Sequence, residues 1–325
     1  MSHSKHASGS AEPAVLESTP VYQHPLAYLL GLQGHALLRA FAGEYDREFT
    51  LARLAEIRAL LDSADQLGAG GTAEPIATAD AYDGWAPSYD QPGNAMIDRE
   101  QPIVHEILAG LPVGVALDAA CGTGRHTAYL ASLGHEVIAV DSSPGMLAAA
   151  RARVPDARFH EAELHRLPLP DDHVDVIVCG LALTHVPELA PVLAEFVRVL
   201  RPGGHLVISD SRGLLPGARR YPLVSSRPDG APGVMPGWVH PTSAYLGAAL
   251  PLGLQVRRCE EPARLHPFVD ETGTPPGDAE PIARYVASDD LADIWNLHPW
   301  APAATNAAYR GTPHFIVWHF QLAGR

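Results

Sequence analysis

Between residues 113 and 210, short apolar runs alternate with stretches in which apolar residues recur at helical spacing. Each run has few polar positions, which is typical of a strand buried on both faces of a parallel sheet. The alternation of strands and helices therefore predicts an α/β fold with a doubly wound, mostly parallel sheet. The runs are VGVALD (113–118), EVIAVD (136–141), VDVIVCG (174–180) and HLVISD (205–210), with a shorter one near 157–160.

The regions between the runs carry signals for helices and turns. Ser143 followed by Pro144 is typical of a helix N-cap and its first residue. Arg201-Pro202-Gly203-Gly204 predicts a turn that leads into the strand at 205–210. The predicted helices cover about 95–109, 123–134, a stretch from residue 144, and 187–200.

The parts of the chain outside this pattern suggest a domain organisation. Residues 1–20 are small and polar and predict a disordered tail. Within 21–62, residues such as Leu38, Phe41, Leu51 and Leu54 fall at helical spacing, which predicts two amphipathic helices that must bury their apolar faces. The following Gly/Ala/Thr-rich stretch, 63–80, is expected to be a linker.

Residues 81–325 are expected to form the main domain, with strands at 254–261 and 314–322. Two insertions, at about 211–246 and 262–312, are too long for ordinary connections. Their aromatic residues predict a partly irregular lid over a binding site for an organic, partly apolar molecule. These aromatic residues include Tyr221, Trp238, Tyr245, Phe268, Trp295 and Trp300.

Composition narrows the class of partner. The 325 residues carry a formal net charge of -14, which argues against a nucleic-acid partner. Lys5 is the only lysine, so neither a Schiff base nor a Walker-type phosphate loop is available. Cys121, Cys179 and Cys259 lie in apolar segments, which predicts buried thiols in a reducing compartment. No signal-peptide pattern and no membrane-length apolar stretch is visible, so a cytoplasmic protein without a membrane partner is expected.

A glycine-rich loop directly follows the first strand, in LDAACGTG, where Asp118 precedes Gly122 and Gly124. Ligands bind at the carboxyl ends of parallel strands, and Asp141 ends the next strand, where an acid often binds a ribose. A dinucleotide-binding loop would need glycine at Thr127. An acid beside the loop instead suits a cationic group such as the ammonium of S-adenosylmethionine. A tight turn without a ligand remains the alternative interpretation of the residues alone.

In this region the chain resembles the class I S-adenosylmethionine-dependent methyltransferases, and within them the ubiquinone/menaquinone-biosynthesis-type, small-molecule branch. LDAACGTG, VIAVDSSPGML, ELHRLPLPDDHVDVIVCGLALTHV and LRPGGHLVISD occur in the family's order and cover about 81–210 together with YDGWAPSYD (82–90). The last segment resembles the family's Tyr-Asp-x-x-Ala-x-x-Tyr-Asp pattern. The resemblance implies a Rossmann-like, seven-stranded sheet and S-adenosyl-L-methionine as the cofactor.

The resemblance also implies which positions contact the cofactor. Asp118 and the two glycines would line its methionine end, and Asp141 would bind its ribose hydroxyls. Glu163 stands where many family members have an aspartate that faces the adenine, so this longer acid departs from the pattern. The implied cofactor-binding residues are Tyr82, Tyr89, Asp118, Gly122, Gly124, Asp141, Ser142, Met146, Glu163 and Leu164.

His185 is the candidate general base for a methyl transfer to a small-molecule acceptor, because it follows the fourth strand at the edge where the methyl group would point. Its alternative role is to pack against, or cap, the helix that begins near Pro187. The histidines show no short-range zinc spacing, which predicts no metal site but leaves a non-local one open. Two other functions remain open: a cyclisation that uses the cofactor as a scaffold, and a cofactor-binding regulatory partner. The N-terminal helices are expected to mediate a homodimer or to pack on the main domain.

Overall fold

A computed structural model of the protein describes residues 19–90, 95–212, 218, 220, 223–227, 231–263 and 297–324. The strands in these residues are β1 (Val21–Gln23), β2 (Gly71–Pro75), β3 (Val115–Ala119), β4 (Glu136–Asp141), β5 (Arg158–Glu161), β6 (Val174–Gly180), β7 (Leu200–Ser211), β8 (Leu223–Ser226), β9 (Pro232–Met235), β10 (Leu254–Glu260) and β11 (Phe315–Leu322). The α-helices are α1 (Pro25–Phe41), α2 (Arg47–Asp62), α3 (Thr78–Trp85), α4 (Ala95–Ala109), α5 (Arg125–Ser132), α6 (Pro144–Arg153), α7 (Leu189–Val199), α8 (Thr242–Ala249) and α9 (Pro302–Tyr309).

The larger sheet has seven strands in the order β10-β11-β7-β6-β3-β4-β5. Strands β3 to β7 are mutually parallel, whereas β11 is antiparallel to both of its neighbours. The chain proceeds outward from β3 through β4 to β5 and then returns to β6, on the other side of β3. This reversal creates a crevice at the carboxyl ends of β3 and β6, where open α/β sheets bind ligands. The predicted doubly wound, Rossmann-like fold is confirmed.

Alternate residues of each central strand enter two different apolar layers. On one face, Leu117 and Ile177 belong to the same buried cluster as Phe196 of α7. On the other face, Val176 belongs to a cluster with Leu130 of α5. Because helices cover both faces, the strands have no solvent-facing side, which explains their nearly continuous apolar sequences.

A smaller sheet of four strands, in the order β1-β2-β9-β8, joins distant parts of the chain. Strand β2 pairs antiparallel with β1 and parallel with β9, and Ala73 is fully buried in the same cluster as Val234. The prediction that 63–80 is a linker is therefore wrong, since this stretch also contains a 3₁₀ helix, Ala64–Leu67, and the start of α3. Its small, polar residues have low strand propensity, and tertiary pairing overrides that propensity.

The N-terminal helix α1 packs against α9 near the other end of the chain. Leu29, Leu32 and Ala36 share a buried cluster with Ala304 and Ala308. The buried face of α1 is thus rotated about the helix axis relative to the face with Leu38 and Phe41, which the sequence predicted to be buried. The large apolar side chains that remain exposed on α1 and α2 are Leu38, Phe41, Leu51, Leu54 and Leu61.

Two further details differ from the sequence-based expectations. Residues 201–204 do not form a turn before a strand but an irregular stretch, or bulge, within β7. Leu200 pairs with Val174 of β6, and His205, five residues later, pairs with Val176. Cys121 and Cys179 are buried as predicted, whereas Cys259 is exposed because β10 is an edge strand. Among the helices of the described residues, none has the length and apolar character needed to cross a bilayer.

Candidate active site

Asp118 lies at the carboxyl end of β3 and is almost completely buried. Its Oδ2 atom accepts a hydrogen bond of 2.6 Å from the hydroxyl of Thr127, on the first turns of α5. Its Oδ1 atom is buried and accepts no hydrogen bond from the described residues. Burial raises the pKa of this carboxyl, although the nearby His126 side chain and Thr127 oppose the shift. A buried carboxylate oxygen without a donor is costly, so the site is arranged to receive a donor, preferably a cation.

The glycine loop that follows leaves space above its backbone. The chain leaves β3 through Ala120, whose φ of 58° is unusual for a residue with a side chain. Gly122 has a φ of +53°, and a Cβ atom placed there would meet nothing within 4 Å. A Cβ atom on Gly124 would instead lie 3.1 Å from that of Ala150 in α6. Gly122 therefore opens the pocket, whereas Gly124 permits close packing of the loop on α6.

Asp141 ends β4 and faces the same loop. Its Oδ2 accepts a hydrogen bond of 2.8 Å from the backbone N–H of Gly122, and its Oδ1 accepts one of 2.9 Å from that of Ser143. Burial raises the pKa of Asp141 despite these two bonds, so its charge is costly where it lies. Each carboxylate oxygen can accept a second hydrogen bond, which leaves capacity for the two hydroxyl groups of a ribose.

The remaining residues implied for the nucleoside lie beyond Asp141. Ser142 is half-buried, and Met146 is buried in the first turn of α6. Leu164 is half-buried against the apolar core below the loop after β5, whereas Glu163 is exposed. The structure thus brings all four side chains to the carboxyl edge of β4 and β5, with Glu163 outermost.

Behind the glycine loop, a buried ion pair holds Arg125 at the start of α5. Its Nη1 atom donates a hydrogen bond of 2.7 Å to Oε2 of Glu100, which is fully buried on α4. The other oxygen of Glu100 accepts a hydrogen bond from the hydroxyl of Ser209. Burial would raise the pKa of Glu100, but contacts with His126 and Arg125 outweigh it and lower the pKa to about 2. The pair fixes one guanidinium nitrogen, and Nη2 reaches the end of β6 beside Gly180.

Tyr82 and Tyr89 lie on the segment that precedes α4, with ring centroids 6.0 Å apart. Tyr82 donates a hydrogen bond of 2.9 Å to Nε2 of His185. Nδ1 of the same ring lies 3.1 Å from the carbonyl oxygen of Pro236. Because a carbonyl can only accept, Nδ1 carries the proton and Nε2 is the basic atom. Burial lowers the pKa of His185 to about 4, although the Pro236 carbonyl opposes the shift.

His185 belongs to a 3₁₀ turn, Leu183–His185, that is held from two sides. Oδ1 of Asp210, at the carboxyl end of β7, accepts a hydrogen bond of 2.8 Å from the backbone N–H of Thr184. On the other side, the backbone N–H of Trp238 donates to the carbonyl oxygen of Thr184 at 2.6 Å. Nε2 of His240 lies 2.8 Å from the carbonyl oxygen of Val186. The turn therefore presents the His185 ring in one fixed orientation.

The aromatic residues expected to form a lid have different positions. Trp238 lies beside the His185 turn, and its indole Nε1 is buried without a hydrogen-bond partner among the described residues. Tyr245 is fully buried and donates its hydroxyl hydrogen to Asp210, so it belongs to the core. Trp300 packs with the N-terminal helices. Tyr221, Phe268 and Trp295 lie outside the described residues.

Sequence reasoning overlooked four charged residues of the site: Asp83, Asp90, Glu100 and Arg125. Arg125 follows the glycine loop directly, and Glu100 stands in line with the apolar positions Val104 and Leu108 of α4, four residues apart. An acid on the apolar face of a helix needs a buried partner. The positions of Glu100 and Arg125 in the sequence could therefore have indicated this ion pair. In the part of the chain that the structure describes, no group of three or more His, Cys, Asp and Glu side chains could hold a metal ion.

Comparison with known proteins shows which proteins this region is similar to. Residues 117–208, from β3 to β7, match a family model described as a methyltransferase domain. A demethylmenaquinone methyltransferase of Renibacterium salmoninarum is 33% identical over 140 residues, which cover 42% of this chain and 59% of that protein. A malonyl-(acyl-carrier protein) O-methyltransferase of Yersinia pestis is 37% identical over 134 residues, which cover 41% of this chain and 49% of that protein.

Among solved structures, an S-adenosylmethionine-dependent methyltransferase from Mesorhizobium loti is 23% identical, with a TM-score of 0.45. The match covers 68% of this chain and 97% of that one. The chain spans about half the length of the curated relatives it matches. Residues 117–208, which the family model matches, contain the glycine loop, both carboxylates at the strand ends and the turn that carries His185.

Proposed function

We propose that this chain, whose residues 117–208 match a methyltransferase domain, is a class I S-adenosylmethionine-dependent methyltransferase that transfers a methyl group to a small organic, partly apolar acceptor. The observation that carries the proposal is the pair of buried carboxylates on either side of the glycine loop. Asp118 offers a bare oxygen for an ammonium group, and Asp141 offers its remaining acceptor capacity to a ribose. A nucleoside that ends in an amino acid meets both requirements.

The cofactor is S-adenosyl-L-methionine, and the donor set of the pocket fits it. Asp118 would hold the ammonium group, and the open backbone at Gly122 would accommodate the methionine chain. Arg125, fixed by Glu100, is the nearby cation for the α-carboxylate, with Tyr89 beside it. Ser142, Met146, Glu163 and Leu164 would surround the adenine.

Bound S-adenosylmethionine supplies an activated methyl group on a sulfonium, so the protein must mainly orient the acceptor and exclude water. We assign the removal of a proton to Tyr82 and His185 together. The Tyr82 hydroxyl donates to Nε2 of His185, and its oxygen can accept the proton of an acceptor hydroxyl. The Tyr82 proton then moves to Nε2, while Nδ1–H stays on the Pro236 carbonyl.

Three observations support an organic, partly apolar acceptor. The rings of Tyr82 and Trp85 meet edge to face, with centroids 5.4 Å apart. Trp238 adds a buried indole N–H near the turn that carries His185. The similar proteins named above act, by their names, on demethylmenaquinone and on malonyl-(acyl-carrier protein). We therefore place the reaction in the biosynthesis of a quinone-like or other specialised small molecule.

The test is the formation of S-adenosylhomocysteine from S-adenosylmethionine with matched acceptors. We would supply an alkylated hydroquinone, the corresponding aniline and the corresponding benzoic acid to the full chain. Methyl transfer predicts S-adenosylhomocysteine together with a methylated product, with the hydroquinone preferred if Tyr82 and His185 remove a proton. Product formation without consumption of the methyl group would favour cyclisation with the cofactor as a scaffold. Tight cofactor binding without any turnover would favour a regulatory partner.

A further inference from the structure

The segment 82–90, here called the Tyr-Asp segment, contains the dipeptide Tyr-Asp twice, at Tyr82-Asp83 and Tyr89-Asp90. The two copies are seven residues apart. Both tyrosines lie in the site, whereas both aspartates are exposed residues that contact the surrounding loops. Exposed aspartates need no partner, so their specific contacts require an explanation.

Asp83 contacts the loop that follows Asp141. Its Oδ1 atom accepts hydrogen bonds from the hydroxyl of Ser143 and from the backbone N–H of Gly145, the latter at 2.8 Å. Ser143 is the N-cap of α6, so the carboxylate lies at the positive end of that helix. A Cβ atom on Gly145 would lie 3.0 Å from Asp83 Oδ1, so the glycine allows the two segments to approach closely.

Asp90 contacts the other loop of the pocket. Its Oδ1 atom accepts a hydrogen bond of 2.8 Å from the hydroxyl of Thr123, which lies between the two glycines of the glycine loop. Its Oδ2 atom pairs with Arg153, the last residue of α6. The Tyr-Asp segment is thus attached at both ends of α6 and to both loops that would hold the cofactor.

The two tyrosines occupy the space between these attachments. Tyr82 reaches His185, and the pKa of Tyr89 is raised by burial even though Arg125 opposes the shift. The segment therefore covers the methionine end of the pocket and carries the hydroxyl that contacts the proposed base. Release of either attachment would let part of the segment move away from this end.

We propose that Asp83 and Asp90 are positioning residues that fasten the Tyr-Asp segment over the cofactor, so that their hydrogen bonds set the rate of cofactor exchange. The inference rests on the proposed cofactor site and goes beyond it, because it assigns the two aspartates a role through the loops around the pocket and not through contact with the cofactor. The segment holds Tyr89 against the methionine end and Tyr82 against His185 at the same time. Fastening it therefore completes the cofactor site and the acceptor site together.

The test compares Asp83→Ala, Asp90→Ala and the double variant with Asp156→Ala, which removes an exposed carboxylate just beyond α6. Calorimetry gives the affinity for S-adenosylhomocysteine, and stopped-flow displacement gives its dissociation rate. Each single variant should release the ligand about tenfold faster, because each loses two polar contacts of one carboxylate, and the double variant should release it faster still. The Asp156→Ala protein should match the unsubstituted chain.

Two further measurements separate positioning from a general loss of stability. Trp85 lies within the segment, so its emission should shift to longer wavelength in the double variant while the melting temperature stays near that of Asp156→Ala. The variants Asp83→Asn and Asp90→Asn keep an acceptor oxygen and should release the ligand more slowly than the alanine variants. Unchanged dissociation rates in the double variant would overturn the positioning role of the two aspartates but not the proposed function. Failure of the unsubstituted chain to bind S-adenosylhomocysteine would instead overturn the proposed function.

Discussion

Substituting Asp118 by asparagine should have opposite effects on ligand affinity and on stability. Asparagine keeps the shape of the side chain and can accept the Thr127 hydrogen bond through its Oδ1 atom. Its Nδ2 group then replaces the bare Oδ1 of Asp118 and faces the ligand ammonium with a donor. Loss of a hydrogen bond between buried charged groups is worth about 1.5–3 kcal/mol, which corresponds to an affinity for S-adenosylhomocysteine about 10- to 150-fold weaker.

The same substitution should not destabilise the ligand-free protein. Burial raises the pKa of Asp118 above its unfolded value, so folding must overcome the cost of the charge once the pH exceeds the unfolded pKa. Asparagine removes this cost, and the free energy of unfolding at pH 7 should stay equal or rise by about 1 kcal/mol.

Calorimetric titration with S-adenosylhomocysteine and urea unfolding at pH 7 give the two quantities, with Asp156→Asn as a matched exposed control. Equal affinity of Asp118→Asn and the control would refute the ammonium assignment. A loss of stability as large as the loss of binding energy would show that Asp118 is a structural residue instead.

Four other predictions rest on the contacts of the site and of the N-terminal elements. Asp141→Ala should weaken binding of S-adenosylhomocysteine by about 1–3 kcal/mol in calorimetry, and it should also lower the melting temperature, because Gly122 and Ser143 lose their acceptor. His185→Ala should lower turnover by about 10²–10⁴, and near-native turnover would remove His185 from the mechanism. Since a pKa of about 4 keeps His185 neutral in mild acid, native turnover should persist below pH 6.5 and fall only as the pH approaches 4. A chain that begins at Ala81 should lose solubility, oligomeric state or activity, as chromatography and assay would show, because it lacks β2 and α1, the partners of β9 and α9.

The central sheet and the positions of its acids could be predicted from the sequence because both depend on local pattern. Strands buried on both faces have continuous apolar sequences, and Asp118 and Asp141 each end such a sequence. Their meeting at one edge follows from the parallel arrangement alone. The low pKa of His185 could not be predicted from the sequence, because it depends on burial by Tyr82 and the 236–240 segment, which are distant in sequence.

The smaller sheet could not be predicted, because its strands are short and come from three distant regions. Strand β2 contains Gly71, Thr72 and Pro75, a composition typical of a loop, and its pairing with β1 and β9 makes it a strand. The sequence also did not show which faces of α1 and α2 are exposed. Phe41 is 94% exposed and Leu38 is 69% exposed, although both look like core residues in the periodic pattern. Helical periodicity shows that a face exists, but the partner decides which face is buried.

The packing of α1 on α9 has a consequence for biosynthesis. The hydroxyl of Tyr28 lies 2.6 Å from Nε2 of His298, which joins residues 270 positions apart. At roughly 5–20 residues per second, a ribosome needs about 10–50 s to make the intervening chain. Throughout that interval α9 has not been made, so the apolar face of α1 lacks the helix that covers it in the folded protein. Transiently exposed apolar surface promotes aggregation, so we expect the apolar face of α1 to be vulnerable until α9 has been synthesised.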